Sequence, residues 1–96
     1  MEDIFDINNK VAVITGGAGL LGVQFAKVLA RYGANVILTD YDISECKKKV
    51  KELFNEKIIA MELDVTSKSD WNTTLAKVFK KYGSVDILVN SAAYTN

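Results

Sequence analysis

Residues 10–22, Lys-Val-Ala-Val-Ile-Thr-Gly-Gly-Ala-Gly-Leu-Leu-Gly, run from β-branched apolar residues into a glycine-rich turn and out into a helical pattern. Gly17, Gly19 and Gly22 fit the spacing G-x-G-x-x-G, and each glycine has a mechanical job. The first makes a tight turn after a strand, the second lets a pyrophosphate approach the backbone, and the third lets the helix pack on the strand. A helix opening at such a turn offers unpaired N–H groups and a partial positive charge, which together attract an anion. Glycine turns also make ordinary strand-to-helix connections, so context decides. Here Val11 to Ile14 read as a strand buried on both faces. Leu21, Phe25, Val28, Leu29 and Tyr32 follow at helical spacing, and a second apolar run ends in the carboxylate Asp40.

The alternation of short apolar runs with amphipathic stretches continues to the end of the 96 residues, giving β-α-β-α-β-α-β within one small domain. Strands are expected near 10–15, 35–40, 57–63 and 85–90. The first helix, near 20–32, stops at Gly33, a suitable left-handed position. The second starts after Asp42 with Glu45 in a capping-box position, and its apolar face comprises Ile43, Cys46, Val50, Leu53 and Phe54. The third follows Ser67, with Asp70 as reciprocal cap. It is expected to bury Trp71, Leu75, Val78, Phe79 and Tyr82 before stopping at Gly83. Right-handed crossovers with helices on both faces read as an α/β doubly wound parallel sheet, and in a sheet of this kind the order is expected to be 3-2-1-4, with a crevice between strands 1 and 4 at their carboxyl ends. Thr15, Asp40, Asp64 and Asn90 all fall on that rim.

Twelve basic and twelve acidic side chains cancel, and no Lys/Arg cluster is interleaved with aromatics. Lys47, Lys48 and Lys49 lie on the wet face of a predicted helix, so a nucleic-acid partner is not expected. The single cysteine, Cys46, excludes an internal disulfide, and the absence of histidine excludes Ser-His-Asp chemistry and the usual zinc sites. The acidic start, Met-Glu-Asp-Ile-Phe-Asp, is unlike a signal peptide, and no apolar run approaches the roughly 18 residues a spanning helix needs. Neither a membrane nor a secreted setting is expected; the cytoplasm is.

Asp40 closes the second strand about 20 residues after the glycine turn, where a carboxylate accepts hydrogen bonds from the adenosine ribose hydroxyls. A phosphate on that ribose would meet like charge, favouring NAD over NADP, and Tyr41 adds no basic group to offset it. Asp64 and Val65 end the third strand, where a carboxylate and an apolar cover suit the amino group and ring edge of adenine. On spacing alone, Asp64 fits equally well a strand end that leads into the helix begun by Ser67.

These residues resemble the short-chain dehydrogenase/reductases. Thr15-Gly-Gly-Ala-Gly-Leu-Leu-Gly22 is similar to that family's Thr-Gly opening, Asp64-Val65 to its Asp-Val after strand 3, and Leu88-Val89-Asn90-Ser91-Ala92-Ala93 to its Leu-Val-Asn-Asn-Ala-Gly. The resemblance covers essentially the whole chain, and it implies a Rossmann-type domain of which residues 1–96 form the amino-terminal half. By the same resemblance Gly16, Gly17, Gly19, Leu20, Leu21 and Gly22 hold the pyrophosphate, and Asp40 with Tyr41 faces the adenosine ribose. Asp64 and Val65 bind adenine, while Asn90 and Ala92 flank the nucleotide. Leu20 stands where the common pattern has glycine, and the glycines instead match the spacing of the family's extended branch. Ser91 and Ala93 replace Asn and Gly, with small side chains retained.

The family's proton-transferring Tyr-x-x-x-Lys pair is not in this sequence. Val36, Glu45 and Asp86 stand four residues after Tyr32, Tyr41 and Tyr82, and nothing stands four after Tyr94. The chain is therefore expected to be the amino-terminal part of an NAD(H)-dependent oxidoreductase of an alcohol or carbonyl, carrying the adenosine side of the cofactor site and no catalysis of its own. Two alternatives stay open on the residues: a non-catalytic NAD- or nucleotide-binding regulatory module, and a doubly wound domain whose glycines only make turns. Val85 to Val89 read as an interior strand without an outer neighbour, so pairing with a second copy through that edge is expected.

Overall fold

The computed structural model describes residues 6–91. Seven elements follow in order: β1 (Val11–Thr15), α1 (Leu20–Arg31), β2 (Asn35–Asp40), α2 (Ile43–Leu53), β3 (Ile58–Glu62), α3 (Lys68–Tyr82) and β4 (Ile87–Asn90). All strand pairs are parallel and the sheet order is β3-β2-β1-β4, as the alternation of the sequence predicts. After β3 the chain crosses to the far side of β1, and this reversal opens the crevice between β1 and β4, where Thr15 pairs with Asn90.

Alternate residues of the central strands feed two cores. Ile14, Val36, Leu38 and Ile58 pack with Ala26, Ala30 and Cys46 on one face, while Val11, Val13 and Ile37 pack with Val78 of α3 on the other. Each fully buried aliphatic side chain is worth about 1.5–3 kcal/mol, so the twice-covered strands β1 and β2 anchor the domain. Cys46 lies wholly inside the first core, its thiol donating to the Leu38 carbonyl oxygen at 3.1 Å.

Helix ends follow their caps. Asp42 accepts from the Glu45 N–H at 3.0 Å, and Ser67 accepts from the Asp70 N–H at 3.1 Å. Past the end of α1, Gly33 at φ +93° donates to Ala30 O and Ala34 N–H donates to Leu29 O, the two bonds of a Schellman motif.

Three expected burials are corrected. Helix α1 turns Gly22, Ala26 and Ala30 to the sheet, leaving Leu21, Phe25, Val28 and Tyr32 exposed and only Leu29 of the expected face half-buried. A stripe of small residues lets the helix backbone approach the strands, and this closeness outweighs the burial of larger side chains. Phe54 lies outside α2, at its C-cap with φ +49°, and is 93% exposed. Phe79 of α3 is also exposed; Val78 and Thr74 occupy the buried line, with Trp71, Leu75 and Tyr82 half-buried.

Candidate functional site: the glycine turn and the strand rim

The turn after β1 is built from backbone contacts that only small residues permit. Gly16 has φ +66°, a left-handed conformation that favours glycine. Gly17 is buried, donates to Thr39 O at 2.7 Å, and has no room for a Cβ, which would run into the Leu38 side chain. At Gly22 a Cβ would meet Gly17 Cα at 2.8 Å and Gly16 O at 2.9 Å. Gly19 differs. Its φ of −75° suits any residue, and a Cβ there would touch nothing closer than Gly16 O, at 3.5 Å.

Gly19 is the N-cap of α1 and gives the helix no side-chain cap, and no acidic residue lies in the first turn. Val23 N–H bonds back to Gly19 O, whereas the N–H groups of Leu20, Leu21 and Gly22 have no partner among the described residues. Leu20 is 80% exposed and leaves the helix start open to solvent. Three free donors at the positive end of a twelve-residue helix form a receptor for an anion.

Asp40 ends β2 beside this turn. One carboxylate oxygen accepts from the Ala18 N–H at 2.9 Å and the other from the Asp42 N–H at 2.9 Å. It thus ties the glycine turn to the start of α2 while staying partly accessible; a turn begun by Asp40 was one reading of the sequence, whereas the bond to Ala18 was missed. Tyr41, next along, is exposed.

Two hydrogen bonds from Thr66, first its hydroxyl at 2.6 Å and then its amide at 2.9 Å, hold the Asp64 carboxyl below the usual carboxylate range. Both go to one oxygen. The local turn reading of Asp64 is therefore realised, and the second oxygen has no partner among the described residues. Asp70, expected to cap the helix reciprocally, instead accepts from the Asp64 N–H at 2.6 Å. Trp71 donates its indole N–H to the Val65 carbonyl at 3.0 Å. Nothing in the spacing announced either contact. A cavity of about 430 Å³ lies here, lined by Tyr41, Glu62, Asp64, Ser67 and Asp70. Its carboxylates suit a hydrogen-bond donor and not an anion.

Across the crevice, Asn90 accepts from the Thr15 hydroxyl at 2.8 Å, and Ser91 donates its hydroxyl to the Thr15 carbonyl. Both clip β4 to β1. Ala92 and Ala93 lie outside the described residues. Gly16 through Gly22, Asp40 and Asn90 thus cluster at the carboxyl ends of β1, β2 and β4, and Asp64 and Val65 continue the rim past β3. No group of residues able to hold a metal ion occurs among the described residues.

Comparison with known proteins gives this arrangement its family. The family model for short chain dehydrogenase matches residues 10–96, and the chain belongs to that family. It is 36% identical over 94 residues to the 15-hydroxyprostaglandin dehydrogenase [NAD(+)] of Mus musculus, covering 94% of this chain and 35% of that protein. With the galactitol 2-dehydrogenase of Agrobacterium fabrum it shares 39% identity over 87 residues, covering 91% and 34%. Among solved structures, the 3-ketoacyl-(acyl-carrier-protein) reductase from Brucella melitensis complexed with NADH superposes with a TM-score of 0.78 at 30% identity, over 85% of this chain and 33% of that one. The chain spans about a third of the length of these relatives.

Proposed function

We propose that this chain supplies the adenosine side of an NAD(H) site in an oxidoreductase of alcohols or carbonyls. One observation carries the reading. Packing accounts for Gly17 and Gly22, a left-handed φ accounts for Gly16, and neither accounts for Gly19, which sits beside three unpaired N–H groups. A ligand that needs the backbone bare at that point explains it. The backbone of Gly16, Gly17, Gly19, Leu20, Leu21 and Gly22 then receives the diphosphate. Asp40 meets the adenosine ribose hydroxyls with Tyr41 beside it, Asp64 and Val65 meet adenine, and Asn90 and Ala92 border the nucleotide. When bound, NAD supplies a hydride acceptor at its nicotinamide; the residues named here bind and orient its other half. The name of the prostaglandin dehydrogenase and the NADH complex of the Brucella reductase support NAD as the cofactor, while the differing substrates in the relatives' names leave this chain's substrate class at alcohol or carbonyl.

The reading predicts a saturable change in NADH fluorescence on titration with the chain, shifted to higher concentration in Gly19→Ala. The extra methyl fits the fold, and the entropy gained by removing a glycine offsets the poorer N-cap, so the melting temperature should stay near wild type. Binding should weaken at least about tenfold. A wild-type chain with no saturable response, or a Gly19→Ala chain that binds as tightly, would reject the assignment.

We also propose that the outer edge of β4, which pairs only with β1 among the described residues, recruits a second copy of the chain. Leu88 on that strand is 57% exposed, so the open edge is apolar as well as unpaired.

A further inference from the structure

We propose that Trp71 is a positioning residue for the nucleotide base, acting through the Asp64–Val65 turn. The inference rests on the reading of that turn as the adenine contact. The turn has little packing of its own: Asp64 and Val65 are only half-buried, and Thr66 is exposed. It is held instead by the first turn of α3. Asp70 takes the Asp64 N–H at 2.6 Å and Trp71 gives its indole N–H to the Val65 carbonyl at 3.0 Å, so successive residues of the helix grip successive residues of the turn. Ser67, the N-cap, donates its N–H to Asp64 O at 3.0 Å and closes the unit.

Trp71 is suited to this task because it is fixed at both ends. Its backbone N–H bonds to Ser67 O at 3.1 Å, placing it in the helix, while a large planar ring on two torsions carries the donor six residues back to Val65. Removing the indole N–H leaves the Val65 carbonyl without a partner among the described residues and frees the turn to move. A base resting on that turn then has to order it on binding, and affinity falls.

Trp71 is the only tryptophan in the chain, so its indole proton gives a single resonance that reports on this contact directly. Two ligands separate the base from the phosphates: ADP, which has both, and inorganic pyrophosphate, which has phosphates alone. In the wild-type chain ADP should shift the indole resonance and slow its exchange with solvent, and pyrophosphate should do neither. Trp71→Phe, which keeps a ring and loses the donor, should weaken ADP about threefold to tenfold, the worth of one neutral hydrogen bond, and leave pyrophosphate binding unchanged. Amide exchange at Asp64 to Thr66 should rise in this variant while β1 and β2 stay protected.

An unmoved indole resonance with bound ADP, or equal ADP affinities in wild type and Trp71→Phe, overturns the proposal and leaves the cofactor reading intact. A wild-type chain that binds neither ADP nor NADH removes the cofactor reading and this inference with it. The wild-type indole measurement stands by itself should Trp71→Phe fail to fold.

Discussion

Asp40 serves two structural partners before any ligand arrives, and this changes what its replacement should do. Asp40→Ala strips an acceptor from both the Ala18 and the Asp42 N–H groups. It should therefore lower stability by about 1–3 kcal/mol and weaken NADH and NADPH together. Asp40→Asn is the sharper variant, since it removes the charge and keeps one acceptor oxygen. If the carboxylate repels a ribose phosphate, the ratio of NADH to NADPH affinity should fall at least about threefold in Asp40→Asn, measured by fluorescence titration of both cofactors. An unchanged ratio would show that Asp40 only braces the turn. Sequence reading placed Asp40 at the correct strand end but had no access to Ala18, because a side chain bonding to a backbone 22 residues away leaves no periodic trace. The same blindness covers Trp71, whose spacing says only that one apolar residue faces inward.

At the scale of the elements, strands and caps were legible and helix faces only in part. Runs of Val and Ile found β1 and β2, and Gly33, Asp42, Ser67 and Gly83 found the helix ends, because those signals are local. The face of α1 was not legible, since a reading weighted by large apolar side chains passes over Gly22, Ala26 and Ala30. Phe54 misled for a related reason: it continues the apolar spacing of α2 but occupies a left-handed position, at a cost of about 1–2 kcal/mol, where the helix has already ended. The start of β4 yields a prediction on pH. Asp86 accepts from the Val11 N–H at 2.8 Å and the Ser84 hydroxyl at 3.0 Å. These bonds, the Val11 bond foremost, together with the nearby Lys10 charge, hold its carboxyl below the usual range. The unfolded chain thus takes up this proton more readily than the folded one, so the contribution is complete above the ordinary carboxylate pKa and is lost as pH falls through the lower native value. Urea unfolding between about pH 6 and pH 2 should show Asp86→Asn losing less stability on acidification than wild type; parallel curves would remove Asp86 from the acid response.

For the molecule as a whole, the 3-2-1-4 order was legible because strand-helix alternation with a glycine turn after β1 marks the doubly wound class, whose first four strands take that order. What the surface would attract was less so. The outer edge of β4 should bring copies together, and light scattering over a concentration series should show the mean mass rising. Leu88→Lys should suppress that rise by placing charge on the edge, and a constant monomer mass at high concentration would end the idea. The opposite behaviour belongs to the one thiol. The Cys46 side chain is sealed between its own helix α2 and the sheet, and burial foremost, then the charges of Asp40 and Asp42, push its thiol up to about 12. The reactive thiolate is thereby suppressed at neutral pH, and an alkylating reagent meets it only when the sheet and α2 part. The chain thus carries its own clock for that opening, started by adding a thiol reagent, and the same burial keeps oxidants from linking two folded molecules.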